Sequence, residues 1–343
     1  MKTLLRLVFF LLLLALGLGV YAYYNVLGPE VVPASAGAVV VEIPTGSSYE
    51  EVVDILNEQG LIPDAQSFGL LAERMNYRKE PMRSGRFEIP AGSTLLDMIR
   101  LLRNGPRSPV QVVLTTEREP INVAAKAARF IEPDSQAIAQ LLQDELFIDS
   151  LGYTKETLMT LFIPNTYELY WNSSPRDFVA RMQKEHDNFW NQNGRLAKAA
   201  AMDLTPAEVY TLASIVEKET LQNSEKKRMA GVYYNRIKKG MLLQADPTAV
   251  FATRDFNTPR VTNYHLSIDS PYNTYKYAGL PPGPIAMSSI SSIDAVLNLE
   301  DHDYLYFCAK GDGTGFHNFA KSLAQHNRNA AIYRANLRKR GKR

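Results

Sequence analysis

A strand-and-helix pattern occurs twice near the start of the chain. "VVVEIPTGSSYEEVVDILNEQG", Val39 to Gly60, and "GRFEIPAGSTLLDMIRLLRNG", Gly85 to Gly105, share a short apolar strand, an Ile-Pro-x-Gly-Ser turn and an amphipathic stretch ending in glycine. One strand with one helix cannot bury its apolar face alone, so the two copies must pack together as a small pseudo-symmetric unit. Pro44 and Pro90 lack the amide hydrogen that a ladder needs and close the strands. Ser47 and Ser93 stand where helix caps are expected, and Gly60 and Gly105 where a left-handed residue follows a helix. Val52, Val53, Ile55 and Leu56, and then Leu95, Met98, Ile99 and Leu102, fall on helical spacing.

At 343 residues the chain is too long for one core, which predicts a second, larger unit. "PVQVVLTTER" from Pro109 reads as the strand that opens it, with helical stretches at Val123 to Ile131 and Ser135 to Asp144. The 38 basic and 36 acidic residues leave a formal charge of +2, which gives no electrostatic reason to expect a nucleic-acid partner. The closing "RKRGKR" is short and reads as a solvated tail. A single cysteine, Cys308, excludes an intramolecular disulfide and a thiolate-rich metal site, and its setting in "YLYFCA" predicts a buried strand thiol. The five histidines show no metal-ligand spacing, so no metal and no cofactor is expected. "GDGTG", Gly311 to Gly315, lacks the following helix of a phosphate loop and reads as a hairpin turn.

From Leu7 to Tyr24 there is no charge, a run close to the roughly 20 residues needed to cross a bilayer. Lys2 and Arg6 precede it and the next basic residue is Arg74, which places the N-terminus in the cytoplasm and the rest outside, with Tyr21, Tyr23 and Tyr24 at the outer interface. The competing reading is a cleaved signal peptide. The small residues of "ASA", Ala34 to Ala36, lie far beyond the apolar run, which favours a retained anchor. "NVLGPEVVPASAG" then reads as a tether.

"LTPAEVYTLASIVEKET" has the best-specified helix start in the chain: Thr205 as cap, Pro206 at the first helical position and Glu208 completing a capping box. The side chains of Val209, Leu212, Ala213, Ile215 and Val216 average to one direction. Glu219 lies about 50° from that direction and Glu217 about 110° away, so Glu219 leans toward the core and Glu217 toward water. A carboxyl group against apolar surface gains proton affinity, as a general acid requires. The other reading of Glu219, a helix-end partner for a basic residue of "EKKR", stays open on the helix alone. Ser214, inside this helix and outside any Gly-x-Ser-x-Gly elbow, is a poor nucleophile candidate.

"LASIVEKET", "VYYNRIKKGMLLQADPTAVFA", "YNTYKYAGLPPGPIA" and "YLYFCAKGDGTGFHNFAKSLAQHN" follow one another in an order that closely resembles the endolytic murein transglycosylases, the MltG or YceG-like family. The likeness covers about Phe162 to Asn327. The paired strand-helix unit resembles the LysM-like modules that bind N-acetylated glycans. The resemblance implies cleavage of peptidoglycan glycan strands between N-acetylmuramic acid and N-acetylglucosamine, with a 1,6-anhydro end and termination of nascent strands. It also implies that the second glutamate of Glu-Lys-Glu-Thr, Glu219, is catalytic. Asn165 in "IPNTY" stands where the family commonly has aspartate, and Tyr167 remains a candidate sugar contact.

One acid suffices for such a reaction, because the muramyl 6-hydroxyl is tethered to the reacting sugar and no water needs activating. Gln244 and Asp246 of "LQADPT", and Tyr272, Asn273 and Tyr275 of "YNTY", are candidates to bind substrate and stabilise charge; each also reads as a turn or packing residue. "GLPPGPI", Gly279 to Ile285, reads as a groove wall. If Asp246 faces Glu219, a two-carboxylate muramidase becomes the alternative, and a non-catalytic glycan-binding scaffold is the alternative of another class. The expected fold is therefore α+β: anchor 1–24, linker 25–37, LysM-like unit 38–108, catalytic unit 109–335 and basic tail 336–343. The protein is expected in the cytoplasmic membrane, single-pass, with the catalytic unit on the extracytoplasmic side, and membrane-bound peptidoglycan synthases are candidate partners.

Overall fold

In the computed structural model, residues 2–22 and 30–341 are described. Tyr23 and Tyr24, the first part of the expected tether and the last two residues of the basic tail lie outside them. The described chain is a mixed helical and β protein whose strands form three two-stranded sheets. It divides into two compact units: residues 1–112 with 130–133 and 168–174, and the remainder.

Helix α1 (Lys2–Ala22) opens the chain, and its side chains from Leu7 to Tyr21 are exposed and apolar or glycine. Among the described residues no helix is long and apolar enough to cross a membrane.

In the first unit the two copies pair as strands β1 (Val39–Ile43) and β2 (Gly85–Ile89), antiparallel, with Val41 opposite Phe87 and Val39 opposite Ile89. Alternation sends Val41, Ile43, Phe87 and Ile89 inward at full burial and leaves Glu42 and Glu88 outside. Helices α2 (Tyr49–Glu58) and α4 (Leu95–Asn104) close over that face with Val52, Leu56, Met98, Ile99 and Leu102. Each such side chain contributes about 1.5–3 kcal/mol by leaving water. Between the copies the chain forms α3 (Ala65–Arg74), whose Phe68 stacks on Tyr49 and meets Tyr77 edge-on, both at 6.2 Å.

Three expectations for this unit need correction. The caps are Ser48 and Thr94, each in a capping box with Glu51 or Asp97, while the Ser47 and Ser93 hydroxyls donate to the carbonyls of Pro44 and Pro90. Gly60 is left-handed as expected (φ +67°), but Gly105 is extended (φ −67°, ψ 170°). The supposed tether is not loose from Glu30 onward: Val32 is fully buried, and the Val31 amide donates to Ser93 at 2.8 Å. An apolar pair beside an open helix start gains by packing there.

Strand β3 (Pro109–Leu114) pairs with β4 (Asn165–Tyr170) in another of the two-stranded sheets. Between them lie α5 (Pro120–Ala127), α6 (Ser135–Gln143) and α7 (Glu145–Ser150). In the second unit, helices α8 (Pro175–Asn191) and α9 (Arg195–Ala201) lead to α10 (Pro206–Glu219), the centre of its core. Helices α11 (Asn223–Lys238), α12 (Asp246–Thr253), α13 (Asn263–Ser267) and α14 (Ile290–Leu297) follow. The hairpin β5 (Tyr306–Ala309) and β6 (His317–Ala320) pairs Phe307 with Phe319 across the Gly311–Gly315 turn, whose three glycines all have positive φ. Cys308 on β5 is half-buried rather than buried, and burial raises its thiol pKa. Helix α15 (Leu323–Lys339) runs into the expected tail, so residues 336–339 are helical and Arg340 donates to the Gly311 carbonyl.

Candidate active site

The capping box of α10 forms as its sequence specifies: the Thr205 hydroxyl accepts from the Glu208 amide, and the Glu208 carboxylate accepts from the Thr205 amide at 2.8 Å. The helix is not amphipathic in place. Every residue from Val209 to Val216 is buried, which is the condition of a helix covered on all sides. Ser214 donates to the Thr211 carbonyl and accepts from the Ile285 amide, fastening "GLPPGPI" to the helix; that loop does not line the cavity described below.

The two glutamates end this helix in different surroundings. Glu217 does not face water: one of its oxygens accepts from Ser289 and Ser292, both at 2.5 Å, and from the Lys226 ammonium at 3.1 Å. Burial alone would raise its pKa, but the two hydroxyls and the cation outweigh it and hold the carboxylate below its usual range. Helices α11 and α14 cover what an isolated helix would expose. Glu219 has one neutral partner, the Tyr233 phenol of α11, which donates at 2.6 Å. Its pKa is raised to about 7, chiefly by burial; the phenol opposes the shift and the nearby charge of Asp246 adds to it. It is therefore partly protonated at neutrality.

Glu219 lines a cavity of about 330 Å³ with Arg236, Gln244, Asp246, Tyr275, Tyr306, Phe307 and His326, all within the second unit. Its volume is in the range of small-molecule sites. Asp246 stands at the first position of α12 and accepts from the Tyr275 phenol at 2.5 Å. The two loops that carry them are joined by Thr274, whose hydroxyl accepts from the Ala245 amide and meets the Thr248 hydroxyl at 2.8 Å. Gln244 holds a left-handed backbone (φ +52°), a cost for a residue other than glycine that rigid surroundings must sustain. Arg236 supplies those surroundings: its buried guanidinium donates to the carbonyls of Leu242, Leu243 and Leu305 at 2.7–3.0 Å and lies 5.2 Å from the Tyr306 ring.

Of the predicted site residues, the structure brings Glu219, Gln244, Asp246 and Tyr275 to one cavity and leaves three elsewhere. Asn273 is fully buried and its amide donates to the carbonyls of Leu266 and Ile268, bracing the loop. Tyr272 packs on Phe251 at 4.7 Å. The buried Tyr167 donates to the Ile163 carbonyl at 2.5 Å. None of the three lines this cavity, and each has the contacts that the packing reading of the same motifs describes. Sequence reasoning passed over Tyr233, Arg236 and Tyr306, and read His326 only as a structural or groove-edge residue of the C-terminal motif. The first two lie in "VYYNRIKK", where a tyrosine and an arginine inside a helix beside the acidic one were the available signal. Among the described residues no cluster of potential metal ligands occurs.

A model of the YceG-like family matches residues 41–332. The chain is 30% identical over 326 residues to the endolytic murein transglycosylase of Bacillus subtilis (strain 168), covering 90% of this chain and 89% of that one. It is 28% identical over 356 residues to the endolytic murein transglycosylase of Streptococcus pneumoniae (strain D39), with 94% of this chain and 63% of that protein aligned. A crystal structure of a yceG-like protein from Listeria monocytogenes superposes with a TM-score of 0.58 at 28% identity, covering 85% of this chain and 98% of that chain.

Proposed function

Because the chain belongs to the YceG-like family, we propose that it is an endolytic lytic transglycosylase. In this reading it cuts peptidoglycan strands between N-acetylmuramic acid and N-acetylglucosamine and leaves a 1,6-anhydro end. The observation that carries the proposal is Glu219, with a pKa of about 7, on the wall of a cavity suited to a small ligand. Protonated Glu219 gives its hydrogen to the bridging oxygen as the glycosidic bond breaks. The resulting carboxylate takes the proton of the muramyl 6-hydroxyl as that oxygen closes the anhydro ring, which returns the enzyme to its starting state. The carboxylate of Asp246, oriented by Tyr275, stabilises the positive charge that develops on the sugar ring.

A two-carboxylate hydrolase is the second reading, favoured by the presence of Asp246 in the same cavity. Mass spectrometry of products from isolated sacculi separates the two: anhydro-ended fragments are expected, and fragments heavier by one water would establish the hydrolase. Retention of glycan without any cleavage would establish a scaffold instead.

After burial, the Asp246 charge also contributes to the pH range. Asp246→Asn removes one cause of the raised pKa of Glu219, so the alkaline fall of kcat/KM, expected near pH 7 in the wild type, moves to lower pH. A pH–rate profile checks this, and a limb that stays in place or moves upward contradicts it.

We further read α1 as a single-pass anchor in the cytoplasmic membrane, with the catalytic unit outside and peptidoglycan synthases as neighbours. The uncharged run from Leu7 to Tyr24 and the exposed apolar side chains of α1 support this. The repeated strand-helix layout supports a LysM-like identity for the first unit. Cell fractionation tests the anchor: full-length protein in washed membranes is expected, and a shortened soluble form would refute it.

A further inference from the structure

We infer that His326 positions the glycan in this cavity through a hydrogen bond from its imidazole to a hydroxyl or acetamido group of an N-acetylated sugar. The inference rests on the lytic reading above. His326 lies in the first turn of α15 and shares the cavity wall with Glu219 and Asp246. Its ring lies against Tyr306, with centroids 5.4 Å apart and planes 30° from parallel, and Tyr306 in turn faces the Arg236 guanidinium. The imidazole is thus the outer layer of a stack whose inner layer is fixed to backbone carbonyls.

Three other polar side chains of this wall, Glu219, Asp246 and Arg236, already have protein partners. Tyr233 occupies Glu219, Tyr275 occupies Asp246, and carbonyls occupy Arg236. The His326 Nδ1 is shielded from solvent and has no hydrogen-bond partner among the described residues. A buried nitrogen in that state is unfavourable, and one on a cavity wall is relieved by a ligand. A half-turn about χ2 keeps the ring on Tyr306 while exchanging Nδ1 with a carbon, so the ring of this lining residue can change which edge carries a nitrogen without disturbing the stack. Burial and the nearby Arg236 charge both favour the neutral ring, which offers one donor and one acceptor. Sugar hydroxyls and acetamido groups present both kinds of partner.

The test uses the full-length protein in detergent and uncrosslinked glycan strands. His326→Phe keeps a ring against Tyr306 and removes both nitrogens. It is expected to raise KM about tenfold with kcat within about twofold, and His326→Gln, which restores a donor and an acceptor, to recover KM to within about threefold of wild type. Should phenylalanine prevent folding, His326→Leu against His326→Gln makes the same comparison. An unchanged KM in a folded variant lacking both nitrogens, or an equal loss in the Gln variant, overturns the inference while leaving the lytic reading intact. A wild-type protein that cleaves nothing overturns both.

Discussion

Glu219→Gln is expected to lower cleavage of glycan strands by about 10³-fold while leaving the protein folded. Glutamine keeps an oxygen for the Tyr233 phenol but has no proton to give, so the loss falls on chemistry rather than packing. Glu217→Gln is expected to do the reverse. It leaves the buried Lys226 ammonium without a counter-charge, which costs about 3 kcal/mol of stability, while activity per folded molecule stays within about tenfold. Thermal melts and sacculus digestion on both variants separate the roles; a dead but stable Glu217→Gln protein would reverse the assignment. Linkage adds a signed effect. The folded pKa of Glu219 lies above its unfolded value, so its contribution to stability is full below about pH 4.5 and is lost as pH rises through about 7. Glu219→Gln should therefore gain about 2 kcal/mol relative to wild type between pH 5 and pH 8, after allowance for partial solvent screening.

Arg236→Met is expected to destabilise the second unit by about 3–5 kcal/mol, because it leaves the carbonyls of Leu242, Leu243 and Leu305 without their donor. Methionine replaces much of the volume and none of the fork. Since the same guanidinium holds the loop into Asp246 and backs Tyr306, activity should fall in whatever protein remains folded. Denaturant unfolding of the variant measures the first effect. A loss under about 1 kcal/mol, the net worth of a single hydrogen bond, would mean that the fork does not support the cavity.

What the chain disclosed in advance follows from the range of the interactions involved. The α10 capping box, the paired strands and the β5–β6 turn are written in residues a few positions apart, and all form. The caps of α2 and α4 were misplaced by one because two neighbouring hydroxyls compete there. In the second copy only Thr94 has an acid three residues on, Asp97; in the first both serines do, and Ser48 takes the cap with Glu51 while the Ser47 hydroxyl is engaged by the Pro44 carbonyl. Glu219 was legible because its helix places it toward the core; the surroundings of Glu217 were not, because they come from Lys226, Ser289 and Ser292 on other helices. Tyr167, Tyr272 and Asn273 are residue types that serve cores and sugar sites alike, so no local pattern shows that they stand outside the cavity. His326 meets Glu219 across a cavity from more than a hundred positions away, a relation that no local pattern encodes.

The central claim is that the Glu219 carboxyl remains partly protonated close to neutrality because the fold withdraws much of it from water. Carbon-13 NMR of glutamate-labelled protein, with the Glu219 resonance assigned by its loss in Glu219→Gln, measures this directly. The account predicts a titration midpoint near 7, and a midpoint at the ordinary glutamate value of about 4.3 would contradict it.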